Sequence, residues 1–239
     1  MSITTMKCYK FWSKTPCNNK DSFREFPQAR KDFLINKCGF DPNSSKEEWI
    51  QVKHENFTEF LKLFPRSSEQ YEKSDKLSLF LDIDNYYDDV MEQVEAHRQI
   101  TQAFSDDYFI KVGSRAIENG KFKLSLHMIS KKHFFNNTAD MLDFVNTDES
   151  FKLKVFMVKG EDENEKDIKR KYRAIDRNVY CTHGMRNIKC FKQGDKSETP
   201  FRKFNKENPD TCYIIANTTG KTLNPHKVKI VVKKAKWAR

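Results

Sequence analysis

The stretch Leu77-Ser-Leu-Phe-Leu-Asp-Ile-Asp84 decides the fold. Leu77, Leu79, Leu81 and Ile83 alternate, the period-two pattern of a strand packed on one face. Asp82 and Asp84 fall on the other face, about 7 Å apart by the rise of a strand. Two carboxylates in a buried strand repel each other unless a cation sits between them. Hard divalent ions such as Mg²⁺ or Mn²⁺ prefer such oxygens. The plainer explanation is a strand end emerging into solvent, since Asp88 and Asp89 make the neighbourhood acidic anyway.

Downstream, Phe122-Lys-Leu-Ser-Leu-His-Met-Ile129 alternates in the same way. It sets Phe122, Leu124, Leu126 and Met128 against Lys121, Lys123, Ser125 and His127. A cation, a hydroxyl and an imidazole in one row suit a triphosphate: Lys supplies charge, Ser and His directed hydrogen bonds. An ordinary half-exposed strand would carry a polar face too. Further on, Ala174-Ile-Asp-Arg-Asn-Val-Tyr180 offers Asp176 as a third carboxylate. The run after Gly184 offers Arg186, Lys189 and Lys192, with Arg suited to bidentate phosphate contact. A salt-bridged surface hairpin would look similar.

Around these segments the periodicity predicts helices over 26–37, 88–104 and 138–147, and strands over 108–112, 153–158, 174–180 and 185–191. In the helix over 88–104, Val90, Met91, Val94 and Phe104 are expected inward. Ser45-Lys-Glu-Glu48 reads as a capping box, with Trp49, Val52, Phe57, Phe60, Leu61 and Phe64 at helical spacing after it. Residues 212–216 and 228–232 are weaker strand candidates, and 160–171 is a charged loop or exposed helix. Strands and helices mix without strict alternation, which favours α+β over a doubly wound parallel sheet. The expected organisation is an N-terminal portion over 1–70, a core over 71–232 and a basic tail over 233–239.

The 239 residues carry a net charge of +10, unevenly. Residues 151–239 hold 23 Lys+Arg against 10 Asp+Glu; residues 1–150 hold 21 against 24. A basic half beside a mildly acidic one suggests a polyanion-binding face next to a site of another kind, although a solvated lysine surface gives the same count. Aromatics at 13% exclude wholesale disorder. No apolar run approaches the roughly 18 residues of a membrane span, and residues 1–14 lack the apolar region of a secretory signal. An intracellular protein with no membrane association is expected. Six cysteines without close spacing then read as reduced thiols. Cys181, His183, Cys190 and Cys212 are zinc-ligating types, but their spacing fits no knuckle pattern, so zinc is not expected.

Taken together, Phe80-Leu-Asp82-Ile-Asp84, Lys123-Leu-Ser125-Leu-His127, and Ile175-Asp176-Arg-Asn-Val179-Tyr180 running to Arg186-Asn-Ile-Lys189-Cys-Phe-Lys192 resemble the archaeo-eukaryotic primase superfamily. The likeness is to its primase-polymerase group and to the primase part of large-DNA-virus primase-helicases. It spans roughly 77–192, and Ser114-Arg115 also looks like the viral versions. The resemblance implies an RRM-like antiparallel or mixed sheet joined to a smaller N-terminal α/β portion. It implies two Mg²⁺ or Mn²⁺ ions at Asp82, Asp84 and Asp176. Ser125 and His127 would hold the phosphates of an incoming NTP or dNTP, with help from Lys123, Arg115, Arg186, Lys189 and Lys192. Tyr180 would neighbour the sugar. The implied partners are single-stranded DNA template, primer, and a replicative helicase in cis or in trans; no Walker-A sequence is present in the chain itself. Asp84 stands where some relatives have Glu, and no zinc-finger region follows Lys192.

Three rivals share parts of this pattern. Dehalogenase-like phosphatases open with an apolar strand and D-x-D, but want Thr or Val where Tyr86 stands. D-x-D glycosyltransferases leave the Ser125/His127 strand unexplained. A non-catalytic replication-initiation module of the same fold would not need all three carboxylates.

Overall fold

The computed structural model describes residues 5–12, 23–44, 47–117, 119–152, 174–181, 183–192 and 199–222. The expected strands over 153–158 and 228–232, the charged segment over 160–171 and the tail over 233–239 lie outside them. The described chain is α+β, with two antiparallel sheets and four helices.

The first sheet is built from β1 (Thr5–Trp12), β2 (Glu47–Lys53), β3 (Ser68–Tyr71) and β8 (His183–Arg186), in the order β2-β1-β3-β8. The portion over 1–70 and the later chain therefore share a sheet. Helices α1 (Gln28–Cys38) and α2 (Phe57–Leu63) bring Phe33, Phe60 and Phe64 into contact, with ring centroids 4.9–6.3 Å apart. The helix α1 ends at Gly39, whose φ of 68° is the left-handed conformation that glycine adopts without a Cβ penalty.

The second sheet is built from β4 (Leu77–Tyr87), β5 (Tyr108–Val112), β7 (Phe122–Phe135) and β9 (Arg202–Lys203), in the order β4-β7-β5-β9. The two-residue strand β6 (Arg115–Ala116) pairs with β7. Helices α3 (Val90–Phe104) and α4 (Thr138–Thr147) pack on this sheet. Asp89 caps α3 by accepting from Met91 N, and Asn137 caps α4 by accepting from Asp140 N. The even-numbered face of β4 looks toward the first sheet: Phe80 meets Tyr71 of β3 at 5.2 Å. Between the sheets Glu69 is buried and accepts from Ile215 N and Ala216 N, tying the chain after 213 to β3. No helix is long and apolar enough to cross a membrane among the described residues.

Four expectations are corrected. Residues 47–53 form a strand, not the start of a helix, because seven-residue pairing with β1 buries Ile50 and Val52 at period two. Val90, Met91 and Val94 lie outward on α3; its packed face is Gln93, Ala96, Ile100, Thr101 and Phe104. The strand expected over 174–180 is extended only at its start, and turns at Asn178–Tyr180. The strand expected over 185–191 ends at Arg186, and Lys189 turns with a φ of 61°.

Candidate functional site

The pairing of β4 with β7 sets Asp82 opposite His127, Asp84 opposite Ser125, and Tyr86 opposite Lys123. From the far side of β7, Lys111 of β5 stands opposite His127, and Arg115 of β6 opposite Lys123. Along the other edge of β4 the segment 174–176 runs antiparallel. Ile83 bridges Ile175, Asp84 N donates to Ala174 O at 2.9 Å, and Asp176 N donates to Asp82 O at 2.8 Å. Asp176 is therefore a cross-strand neighbour of Asp82 on the same face, at the roughly 5 Å of such pairs. One sheet face thus carries three rows: Asp176–Asp82–His127–Lys111, then Asp84–Ser125, then Tyr86–Lys123–Arg115.

Burial falls along these rows. Lys111 is fully buried, and Ser125 and His127 nearly so. The side chain of Asp82 is 21% exposed and that of Asp84 39%. Burial, then the charges of Asp84 and Asp176, push the Asp82 carboxyl up to about 7, with Lys123 and Arg186 offsetting part of the rise. Its Oδ1 is buried without a hydrogen bond and lies 3.4 Å from His127 Nε2. Lys123 Nζ pairs with Asp84 Oδ2 at 2.7 Å, while Asp84 Oδ1 is buried and unpartnered. Asp176 Oδ1 accepts from Asn178 N at 2.8 Å, which fixes the turn that follows.

His127 is held well below its ordinary pKa by burial first, then by Lys111, Arg186 and Lys123. The imidazole is therefore neutral near pH 7, with Nδ1 unpartnered. Its ring packs 4.0 Å from that of Phe201, and the Arg186 guanidinium lies 4.6 Å from the Phe201 centroid. Gly113 makes room for that stack, since a Cβ there would come within 2.8 Å of the Phe201 ring. Gly113 N donates to Ser125 O, and Ser114 Oγ accepts from Ser125 N, so one short segment fixes the Ser125 backbone. Lys111 Nζ donates to Arg186 O at 2.9 Å, joining the row to β8.

Among the described residues no group of three His, Cys, Asp or Glu side chains is arranged to hold a metal ion. The carboxylates nonetheless fit one chemically. Asp82 and Asp84 each keep a buried, unpartnered oxygen on one face, and an ammonium already sits against Asp84. Hard oxygen donors short of positive charge are what Mg²⁺ or Mn²⁺ binds.

Not every expected residue joins the rows. Lys189 pairs with Asp210 at 2.8 Å. Lys192 is exposed, its carbonyl accepting from Arg66. Tyr180 is buried and its hydroxyl donates to Phe80 O at 2.7 Å, which removes it from any sugar contact. Cys181, Cys190 and Cys212 are free thiols, and Cys190 is buried against Ser67 and Phe64 O. Sequence reasoning missed Lys111, Gly113 and Phe201. Only Lys111 left a signal, as a cation inside the apolar run Phe109-Ile-Lys-Val112.

Compared with models of known protein families the sequence matches none, and no curated protein matches it.

Proposed function

We propose that the chain is a metal-dependent nucleotidyltransferase that copies DNA, a primase or primer-extending polymerase of the archaeo-eukaryotic primase type. The observation that carries this proposal is the convergence of Asp82, Asp84 and Asp176, from distant segments, on one sheet face beside Ser125 and His127. On this view the sheet β4-β7-β5, with α3 and α4 on it, is the RRM-like core, and Asp82, Asp84 and Asp176 hold two Mg²⁺ or Mn²⁺ ions. Divalent ions at such a site activate an attacking 3′-hydroxyl and stabilise departing pyrophosphate.

The 3′-oxygen attacks the α-phosphorus of the incoming nucleotide, and the bond from that phosphorus to the β-phosphate bridge breaks. The chain's own part is to bind and orient. Ser125 Oγ and the neutral His127 donate to triphosphate oxygens. Lys123, Arg115 and Arg186 balance charge, and Arg186 is braced by Phe201. Arg186 can grip two oxygens at once, which a lysine cannot. The basic half of the chain supplies strand affinity that falls with salt.

The test is synthesis on single-stranded template, with and without primer, giving each nucleotide type separately with Mg²⁺ or Mn²⁺. Divalent-dependent product is expected from the wild type and none from Asp82→Ala. Synthesis by Asp82→Ala at the wild-type rate, or none by the wild type with either ion, would overturn the proposal.

A further inference from the structure

Tyr86 is the outlier among the described tyrosines. Tyr71, Tyr108, Tyr180 and Tyr213 are buried, whereas Tyr86 is 53% exposed. It is on the face of β4 that carries Asp82 and Asp84, two residues beyond the second carboxylate, about 7 Å on by strand rise. An aromatic ring left in water forgoes the burial that normally holds it in a sheet.

The ring has a cationic neighbour and its backbone is held. Lys123 Nζ lies over it at 5.5 Å from the centroid, within cation–π range, and the same Nζ bonds Asp84 at 2.7 Å. Below it, Asn85 is buried. Its Oδ1 accepts from Tyr86 N at 2.8 Å and its Nδ2 donates to the Tyr87 hydroxyl at 2.9 Å. The ring thus stands at the open end of the carboxylate row, with its backbone held by Asn85 and a cation over it.

The surrounding charge says which part of a ligand the ring faces. Asp84 takes up the nearest ammonium and Asp88 pairs with Lys121 at 3.4 Å, while Asp89 and Glu92 add acidic charge within six residues of Tyr86. Phosphate is disfavoured at such a place. A neutral, flat group is not, since Lys123, the cation beside Tyr86 in its own row, is already taken by Asp84.

We propose that Tyr86 is a stacking platform for a nucleobase whose phosphates lie over the Asp82–Asp84 row. This rests on the nucleotide-handling function above. The base belongs either to the strand being copied or to the incoming nucleotide, and the two sources are separable.

The experiment measures anisotropy of a labelled single-stranded oligodeoxynucleotide and of an abasic oligomer of equal length and charge, together with nucleotide KM and kcat. Tyr86→Ala, Tyr86→Phe and Tyr86→Trp are compared with the wild type. If the base belongs to the strand, Tyr86→Ala weakens binding of the base-bearing oligomer roughly five- to a hundredfold, the worth of one base–aromatic stack, and leaves the abasic oligomer unchanged. If it belongs to the nucleotide, KM rises by a similar factor with kcat held and oligomer binding is unchanged. Tyr86→Phe and Tyr86→Trp keep the wild-type oligomer affinity and KM, because each keeps an aromatic plane.

Unchanged oligomer affinity together with unchanged KM in Tyr86→Ala overturns the proposal; that outcome would leave the exposed ring, with Val90, Met91 and Val94, as a protein-docking surface. Equal losses on the base-bearing and abasic oligomers overturn it as well. A wild type that synthesises nothing but binds bases through Tyr86 sinks the nucleotidyl-transfer proposal and leaves the stacking one standing. Divalent-dependent synthesis by the wild type, together with unchanged oligomer affinity and unchanged KM in Tyr86→Ala, does the reverse.

Discussion

Asp82 and Asp210 are both largely enclosed aspartates, with side chains 21% and 5% exposed, and the fold treats them in opposite ways. Lys189 Nζ lies 2.8 Å from Asp210 Oδ2 and Lys203 Nζ 3.2 Å from its Oδ1. Burial alone would raise the Asp210 carboxyl; the hydrogen bonds and charges of those two lysines outweigh it and hold the group below its ordinary value. Asp82 has burial and two carboxylate neighbours acting together, and rises to about 7. Asp210 is a neutralised anchor. Asp82 is raised first by burial and then by two carboxylate neighbours, with Lys123 and Arg186 offsetting only part of the rise, the kind of perturbation that gathers at functional sites.

Exchanging each aspartate for asparagine breaks the comparison most directly. Asp82→Asn is expected to lower divalent-dependent nucleotide incorporation by about a thousandfold or more, the several kcal/mol that metal charge stabilisation supplies. It should leave the chain as stable as the wild type or more so, because it removes an under-neutralised carboxylate. Asp210→Asn is expected to leave the rate per folded molecule intact and cost about 1–3 kcal/mol of stability, the penalty for stripping a buried group of its charged partners. Primer-extension rates and urea unfolding measure the two effects. A rate loss in Asp210→Asn as large as that in Asp82→Asn would erase the distinction.

Their pH dependences should also run in opposite directions. The folded Asp82 carboxyl titrates at about 7 against an ordinary 3.8, so the fold prefers its neutral form. Its contribution to stability is full below 3.8 and is lost as pH rises from there through about 7. The contribution of Asp210 is present above its ordinary value and is lost as pH falls through its depressed folded value. In chelator, the stability advantage of Asp82→Asn over the wild type should therefore grow across the first window. Adding Mn²⁺ should stabilise the wild type and leave Asp82→Asn behind, since a ligand that binds only the folded state adds to its stability. A flat difference across that window would argue that Asp82 is already neutralised within the fold.

The rows were legible in sequence wherever a strand alternates strictly. The alternation of β4 and β7 sets Asp82, Asp84, Ser125 and His127 on one face before any pairing is known. It does not say that residues 174–176 lie along β4, since that depends on contacts across some ninety residues. The strand β2 was misread because Trp49, Val52 and Phe57 also fit helical spacing; the long-range pairing with β1 decides in favour of Ile50 and Val52. On α3, Val90, Met91 and Val94 point outward because Gln93 turns in to donate to Lys123 O at 2.7 Å, and small Ala96 lets the helix approach the sheet. Phe201 lies outside any periodic segment, so nothing in the sequence connects it with His127.

The stack of His127, Phe201 and Arg186 gives the smallest expected effect, and one specific to the phosphate side of the site. In Gly113→Ala the new methyl meets the Phe201 ring at 2.8 Å, closer than real Cβ contacts come, so the ring must move. Phe201 packs against His127 on one side and carries the Arg186 guanidinium at 4.6 Å from its centroid. Moving the ring therefore shifts at once the two groups proposed to hold phosphate, while Asp82, Asp84 and Asp176 keep their places on and beside β4. The expected outcome is a rise in nucleotide KM of roughly two- to tenfold, what the 0.5–1.5 kcal/mol of a weakened hydrogen bond amounts to, with kcat close to wild type. Phe201→Leu, which removes the ring without adding bulk at position 113, should raise KM in the same way. A fall in kcat at unchanged KM would instead mean that the stack positions the carboxylates, and that the division of labour between the two edges of β4 is wrong.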